Sequence, residues 1–116
     1  MNKETDTTSH SLPLAIVDEL NRMEANLQHM PSDVRGYKQL CRSVERMKDT
    51  LQAYGYEVAS LLGRPYTDGM RVIARFVIDE QMVSDDVPRI TSVTKPQVSY
   101  QGQLIQVAEV TVSQPL

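Results

Sequence analysis

The first half of the chain has the hydrophobic spacing of amphipathic helices. Apolar side chains recur at alternating intervals of four and three residues, which is the a/d stripe of a heptad repeat. The first stripe comprises Ile16, Leu20, Met23, Leu27 and Met30, and the second comprises Tyr37, Leu40, Val44, Met47, Leu51 and Tyr54. Pro31 lies between the stripes and ends the first helix. The pattern therefore predicts two helices joined by a short connection.

Short polar residues and glycine mark the predicted helix ends. We expect Ser11 to be the first N-cap, with Pro13 in the first turn, where proline is tolerated. Either Ser32 or Asp33 is expected to cap the second helix. Gly55 follows the second stripe, which is the usual position of a helix-ending glycine.

Two helices with narrow apolar stripes form an antiparallel hairpin that encloses little core by itself. A second copy of the hairpin would complete a four-helix bundle, so the stripes predict a homodimer. The residues expected at the dimer contact are Ile16, Leu20, Met23, Leu27, Tyr37, Leu40, Val44, Met47 and Leu51.

The second half of the chain has the signature of short strands. Met70 to Ile78 alternates, with apolar residues on one face and Arg71 and Arg75 on the other. Further strands are predicted at Ile90–Thr94 and Leu104–Val112. Between Tyr100 and Leu104, the pair Gln101-Gly102 predicts a tight hairpin turn in which glycine has positive φ.

Together these patterns predict an α+β fold for the 116-residue chain. Its expected parts are a disordered tail (1–11), a helical dimerisation hairpin (12–55) and a small, mainly antiparallel β domain (56–116). A chain of this length is expected to form one compact domain, or one domain with a helical arm.

Composition narrows the class of partner. The 12 Lys and Arg residues against 15 Asp and Glu residues weigh against nucleic acid, which selects for a basic surface. Cys41 is the single cysteine, so we expect no disulfide framework within the chain, and a reducing cytoplasm is the simplest location. The polar start of the chain is unlike a signal peptide, and no apolar run approaches the ~20 residues of a membrane span.

The sequence offers no convincing set of catalytic or metal-binding residues. His10 and His29 have no partner at ligand spacing and are interpreted as solvated surface residues, and Cys41 as a small buried thiol. The acidic residues of 79–86 lack the glycine and terminal glutamate of a calcium loop, so a solvated loop is the better interpretation. We expect no enzymatic activity, no cofactor and no metal.

Three segments resemble the GrpE family, the nucleotide-exchange factors of DnaK-type chaperones. Tyr-Gly-Tyr-Glu at 54–57, followed by Leu-Gly-Arg-Pro-Tyr at 62–66, is similar to the family's junction between helix and β wing. Residues 98–112 resemble the closing hairpin of its wing, and residues 12–22 resemble the end of its long helix. The resemblance covers about residues 12–113, while the family's long N-terminal coiled coil has no counterpart before Pro13.

The resemblance implies a homodimer whose wing binds the nucleotide domain of a DnaK-like chaperone and promotes release of ADP. It also implies where the wing would touch its partner. These residues are Arg71, Arg75, Gly102, Gln103, Gln106 and Val112. Arg71 stands where the family usually has histidine, and Gln103 and Gln106 replace a basic pair. An alternative is a structural or adaptor homodimer that kept the fold without exchange activity.

Overall fold

The computed structural model describes residues 10–116 and has two helices followed by six short strands. The helices are α1 (Ser11–Gln28) and α2 (Tyr37–Ala53). The strands are β1 (Tyr56–Val58), β2 (Val72–Ile78), β3 (Arg89–Lys95), β4 (Val98–Tyr100), β5 (Gln103–Gln106) and β6 (Ala108–Gln114). The predicted α+β class is confirmed. The predicted tail lies outside the described residues, except for His10 and Ser11, which already belong to the start of α1.

The predicted helix starts are wrong, whereas the predicted end of α2 is right. His10 rather than Ser11 is the N-cap of α1, and its carbonyl accepts the first helical bond from Leu14 N at 3.0 Å. Gly36, with a φ of 88°, precedes α2. Residues 31–36 form turns before this helix, so Ser32 and Asp33 lie too early to cap it. Tyr54 caps the end of α2.

The strands form two three-stranded sheets. The base sheet has the order β1-β4-β5 and is antiparallel throughout. The wing sheet has the order β2-β6-β3, in which β3 is antiparallel to β6 but β2 is parallel to it. The expected antiparallel arrangement is therefore only partly correct. A parallel pair requires a long connection, and the chain between β2 and β6 contains three other strands.

The predicted strand from Leu104 to Val112 is two strands rather than one. Val107 separates β5, which belongs to the base sheet, from β6, which is the centre of the wing sheet. The chain thus changes sheets at this residue, which an alternating apolar pattern does not reveal.

Three apolar clusters hold these parts together. Leu20, Leu27 and Val44 are buried between the helices. A second cluster, built on Val17, Tyr56 and Val98, packs the base sheet against α1. The third cluster is the core of the wing and comprises Leu61, Ile90, Ala108, Val110 and Val112. The base sheet is therefore packed on the helical hairpin, and the wing sheet has a core of its own.

Neither described helix is long and apolar enough to cross a membrane.

Candidate functional site

One side of the helical hairpin is apolar and uncovered. Of the predicted dimer contacts, Leu20, Leu27 and Val44 are buried between the helices, and Tyr37 and Leu51 pack partly against them. The other four residues, which are 37% to 44% exposed, form what we call the open helical face: Ile16, Met23, Leu40 and Met47. The predicted stripe therefore divides between the inside of the hairpin and its surface.

The spacing of these four residues puts them on the same side of the hairpin. Ile16 and Met23 lie four residues before and three after Leu20, and Leu40 and Met47 have the same offsets from Val44. In an α-helix these offsets give the same rotation about the axis. Because Leu20 and Val44 face each other in an antiparallel pair, the equal rotation brings both sets to one face.

The tip of the β4–β5 hairpin is a tight turn, as predicted. Gln101 has a φ of 48° and Gly102 a φ of 82°, which is the pattern of the two-residue turn that matches strand twist. The turn is also tied to the end of α2, because Gln101 N donates to the carbonyl of Gly55 at 2.9 Å. The hairpin tip is therefore held by the junction between helix and sheet.

Gly55 is required at that junction. Its φ is 96°, and a Cβ at this position would lie 3.2 Å from a ring carbon of Tyr100 and 3.3 Å from Cγ of Gln101. The backbone thus needs glycine both for its conformation and for the close approach. Sequence reasoning recognised Gly55 as a helix terminator, but its contact with the hairpin appears only in the fold.

The two glutamines expected to face a chaperone have different surroundings. Gln103 is exposed at the start of β5. Gln106 is half-buried, and its Nε2 donates to Asp18 Oδ1 at 3.1 Å and to the Pro96 carbonyl at 2.8 Å. Its side chain therefore links the base sheet to α1, and a contact between Gln106 and a partner stays a prediction.

Val112 is misplaced among the predicted partner contacts. It is fully buried in the wing core, on the middle strand of the sheet, and cannot touch a partner in this fold. Arg75 is exposed on the edge strand β2, and Arg71 is exposed immediately before this strand. Among residues 10–116, neither arginine forms an ion pair with a carboxylate. The exposed members of the predicted set therefore lie in two places, at the hairpin tip of the base sheet and at or just before strand β2 of the wing sheet.

His10 belongs to an aromatic cluster rather than to the solvated surface that was predicted for it. Its Nδ1 shares a hydrogen bond of 2.8 Å with the Tyr56 hydroxyl, and its ring centroid lies 4.6 Å from that of Tyr100. Burial, and to a smaller extent the neighbouring Tyr100, raises the pKa of Tyr56 above its ordinary value. The Tyr56 hydroxyl therefore stays protonated to a higher pH than that of an ordinary tyrosine, and the cluster fastens the start of α1 to the base sheet.

The other candidate residues named from the sequence are His29, Cys41 and the acidic loop at 79–86. His29 is exposed, and Cys41 is half-buried against the hairpin core, where its hydrogen bond raises the pKa of Tyr37. In the acidic loop, Asp79 Oδ1 accepts from Gln81 N at 3.0 Å and Asp86 Oδ2 accepts from Val83 N at 2.9 Å.

A groove of about 280 Å³ separates α1 from the wing. Two of the polar side chains that line it have partners: Asn21 Nδ2 donates to the Val93 carbonyl at 2.8 Å, and Glu24 pairs with Lys48 at 3.1 Å. The hydrogen bond from Asn21 to Val93 therefore joins the hairpin to the wing across the groove.

No known protein-family model matches the chain, and no curated protein matches its sequence.

Proposed function

We propose that this protein is a dimeric, GrpE-like co-chaperone that binds the nucleotide domain of a DnaK-like chaperone and promotes release of ADP. The observation that carries the proposal is the Gly55 junction, where the exposed hairpin tip is fastened to the end of a helical base. The same junction carries the sequence resemblance to the family. Such a connection suits a protein that holds a binding surface in a set orientation.

The open helical face supports the dimer. Fully burying a large apolar side chain contributes about 1.5–3 kcal/mol, and each residue of this face still exposes more than a third of its surface. A second copy with the same face supplies a matching apolar surface through a two-fold axis. The two hairpins then form a four-helix bundle.

The proposed mechanism requires no covalent chemistry. A hairpin tip that binds the open nucleotide cleft better than the closed one shifts the chaperone toward the open form, from which ADP leaves faster. A difference in binding free energy of ~3 kcal/mol changes the ratio of open to closed chaperone by roughly 150-fold.

The hairpin tip sets the expected strength of the contact. Gln103 offers a neutral amide, whose hydrogen bonds contribute about 0.5–1.5 kcal/mol each, compared with about 1.5–3 kcal/mol when a charged group takes part. A neutral tip also responds less to salt than a basic one. We therefore expect modest affinity and a shallow salt dependence at this contact.

The test is the rate at which a fluorescent ADP analogue leaves the DnaK-like proteins of the host, with and without this protein. The wild type is expected to accelerate release at least tenfold for one of them. Gln103→Glu at the tip is expected to reduce the acceleration, whereas Gln39→Glu, the same change at an exposed position of α2, leaves it intact. Unchanged release with every chaperone would contradict the exchange function.

The second candidate function is an adaptor homodimer without exchange activity. It is favoured by Gln106, which replaces a basic residue of the family and whose side chain is held inside the chain by Asp18 and Pro96. Stable binding of a chaperone by the hairpin tip without any change in ADP release would select this alternative.

A further inference from the structure

Strand β2 is an unprotected edge of the wing sheet. It pairs with β6 on one side only, and its seven residues run without proline, lysine or a register shift. Three of its apolar side chains, Ile73, Phe76 and Ile78, are 48% to 61% exposed. Natural proteins usually blunt such edges, because the unpaired backbone groups are a template for another strand.

Strand β3, at the opposite edge of the same sheet, is protected against the addition of another strand. Strand β3 has two register irregularities against β6 and ends in Lys95. Asn21 from α1 also donates to the β3 carbonyl of Val93 at 2.8 Å. Bulges, lysine and a covering helix are common devices against strand addition. None of these protects β2 in the described part of the chain.

Alternate residues of β2 direct both backbone polar groups away from the sheet. Just beyond the strand, Asp79 N donates to the Gln114 carbonyl, so this residue faces β6. The alternation of a strand then turns Ala74, Phe76 and Ile78 outward. The outward N–H and C=O groups have the spacing that an added strand requires.

The charges on this edge select the kind of strand that fits. Arg71 and Arg75 are exposed and have no carboxylate partner among residues 10–116. Arg75 is the central residue of β2. In a symmetric, fully overlapped antiparallel pair of two β2 strands, Arg75 would face its own copy, and like charges directly opposite are destabilising. An incoming strand with carboxylates opposite Arg71 and Arg75 would instead be attracted.

We propose that the β2 edge of the wing sheet is a docking site for an extended, acidic segment of a partner polypeptide, which adds to the sheet as a further strand. Main-chain hydrogen bonds to the outward groups of β2 supply affinity. Arg71 and Arg75 select acidic side chains on one face of the added strand, and Phe76 and Ile78 pack against apolar side chains on the other face. This surface is separate from the hairpin tip and does not depend on the proposed exchange activity.

The experiment measures binding of a labelled seven-residue peptide of alternating valine and glutamate, matched to the length of β2, by fluorescence anisotropy. Two control peptides have lysine in place of glutamate, or N-methyl groups on alternate backbone amides. The test variant carries Arg71→Glu and Arg75→Glu. The control variant carries Arg35→Glu and Arg42→Glu, which makes the same charge change at two exposed positions, one in the turn before α2 and one within α2. Melting curves verify that both variants are folded.

We expect the acidic peptide to bind the wild type and the Arg35/Arg42 variant, and to lose at least tenfold in affinity for the Arg71/Arg75 variant. The lysine and N-methyl peptides should bind at least tenfold more weakly than the acidic one. Equal binding of the acidic and N-methyl peptides would overturn the strand-pairing proposal, as would equal binding to the two variants. Assembly of the wild type into species that the Arg71/Arg75 variant does not form would show that another copy occupies the edge and would also overturn it. None of these measurements contains a chaperone, so failure of the exchange function leaves the result unaffected.

Discussion

At the scale of single residues, Gly55 is the most constrained of the five glycines, because it alone has neighbours within 4 Å of an added Cβ. Its left-handed φ of 96° is costly for any residue with a Cβ, and the Tyr100 ring lies where that Cβ would be. The same backbone also accepts the hydrogen bond from Gln101 N. One residue therefore fixes both the end of α2 and the position of the hairpin tip.

We expect Gly55→Ala to lower the free energy of unfolding by roughly 2 kcal/mol or more, because the left-handed conformation alone costs about 1–2 kcal/mol. The matched control is Gly63→Ala, where φ is 85° but no atom lies within 4 Å of the added Cβ. Denaturant unfolding of both variants measures the difference. Equal losses would mean that the approach to Tyr100 relaxes without cost.

At the scale of secondary-structure elements, the link between α1 and β5 depends on Gln106. Its amide donates both to Asp18 and to the carbonyl of Pro96, which joins a helix, a strand and the loop before β4. The hydrogen bond from Asn21 to Val93 adds a connection from α1 to the wing. These bonds orient the two sheets relative to the helical base.

Gln106→Glu should destabilise the protein by about 1–2 kcal/mol, because it removes two hydrogen bonds worth about 1 kcal/mol each and places a carboxylate beside Asp18. Gln103→Glu makes the same substitution at an exposed residue of the same strand and should change stability by less than about 0.5 kcal/mol. Urea denaturation compares the two. If Gln106→Glu left the free energy of unfolding unchanged, the hydrogen bonds of the amide would not be what holds the sheet.

At the scale of the whole molecule, the hairpin core and the open helical face have separate roles. Leu20, Leu27 and Val44 are buried inside one chain, whereas Leu40 and Met47 remain available to a second copy. Substitutions on the open helical face are therefore expected to leave the hairpin core intact. If the protein is a dimer, its Tm will also rise with concentration, since association stabilises the folded state by mass action.

We expect the wild type to have twice the 13.1 kDa mass of one chain in sedimentation analysis at micromolar concentration. Leu40→Glu with Met47→Glu should give a folded monomer whose Tm no longer depends on concentration, because two charges would be buried unpaired at the contact. The control, Gln39→Glu with Gln52→Glu, adds the same charge at exposed positions of α2 and should remain dimeric. A monomeric wild type would contradict the four-helix bundle.

The sequence by itself determined the local features of this protein. The periodicity of apolar residues and the positions of glycine and proline predicted both helices, the end of α2 at Gly55 and the turn at Gln101-Gly102. Each of these features depends on the backbone preferences of a few neighbouring residues. It also predicted the alternation of β2, although not that Phe76 and Ile78 would stay half-exposed on an edge.

Only the tertiary structure decided which surfaces remain free. A heptad stripe shows that a face is apolar, but the crossing of two helices decides that Leu20 is covered and Met23 is not. Alternation likewise could not reveal that Val112 lies on the middle strand, or that β2 is parallel to β6. Gln106 forms a hydrogen bond with Asp18, which lies 88 residues away along the chain. Such contacts depend on distant segments meeting in space, and no local pattern records which segments they are.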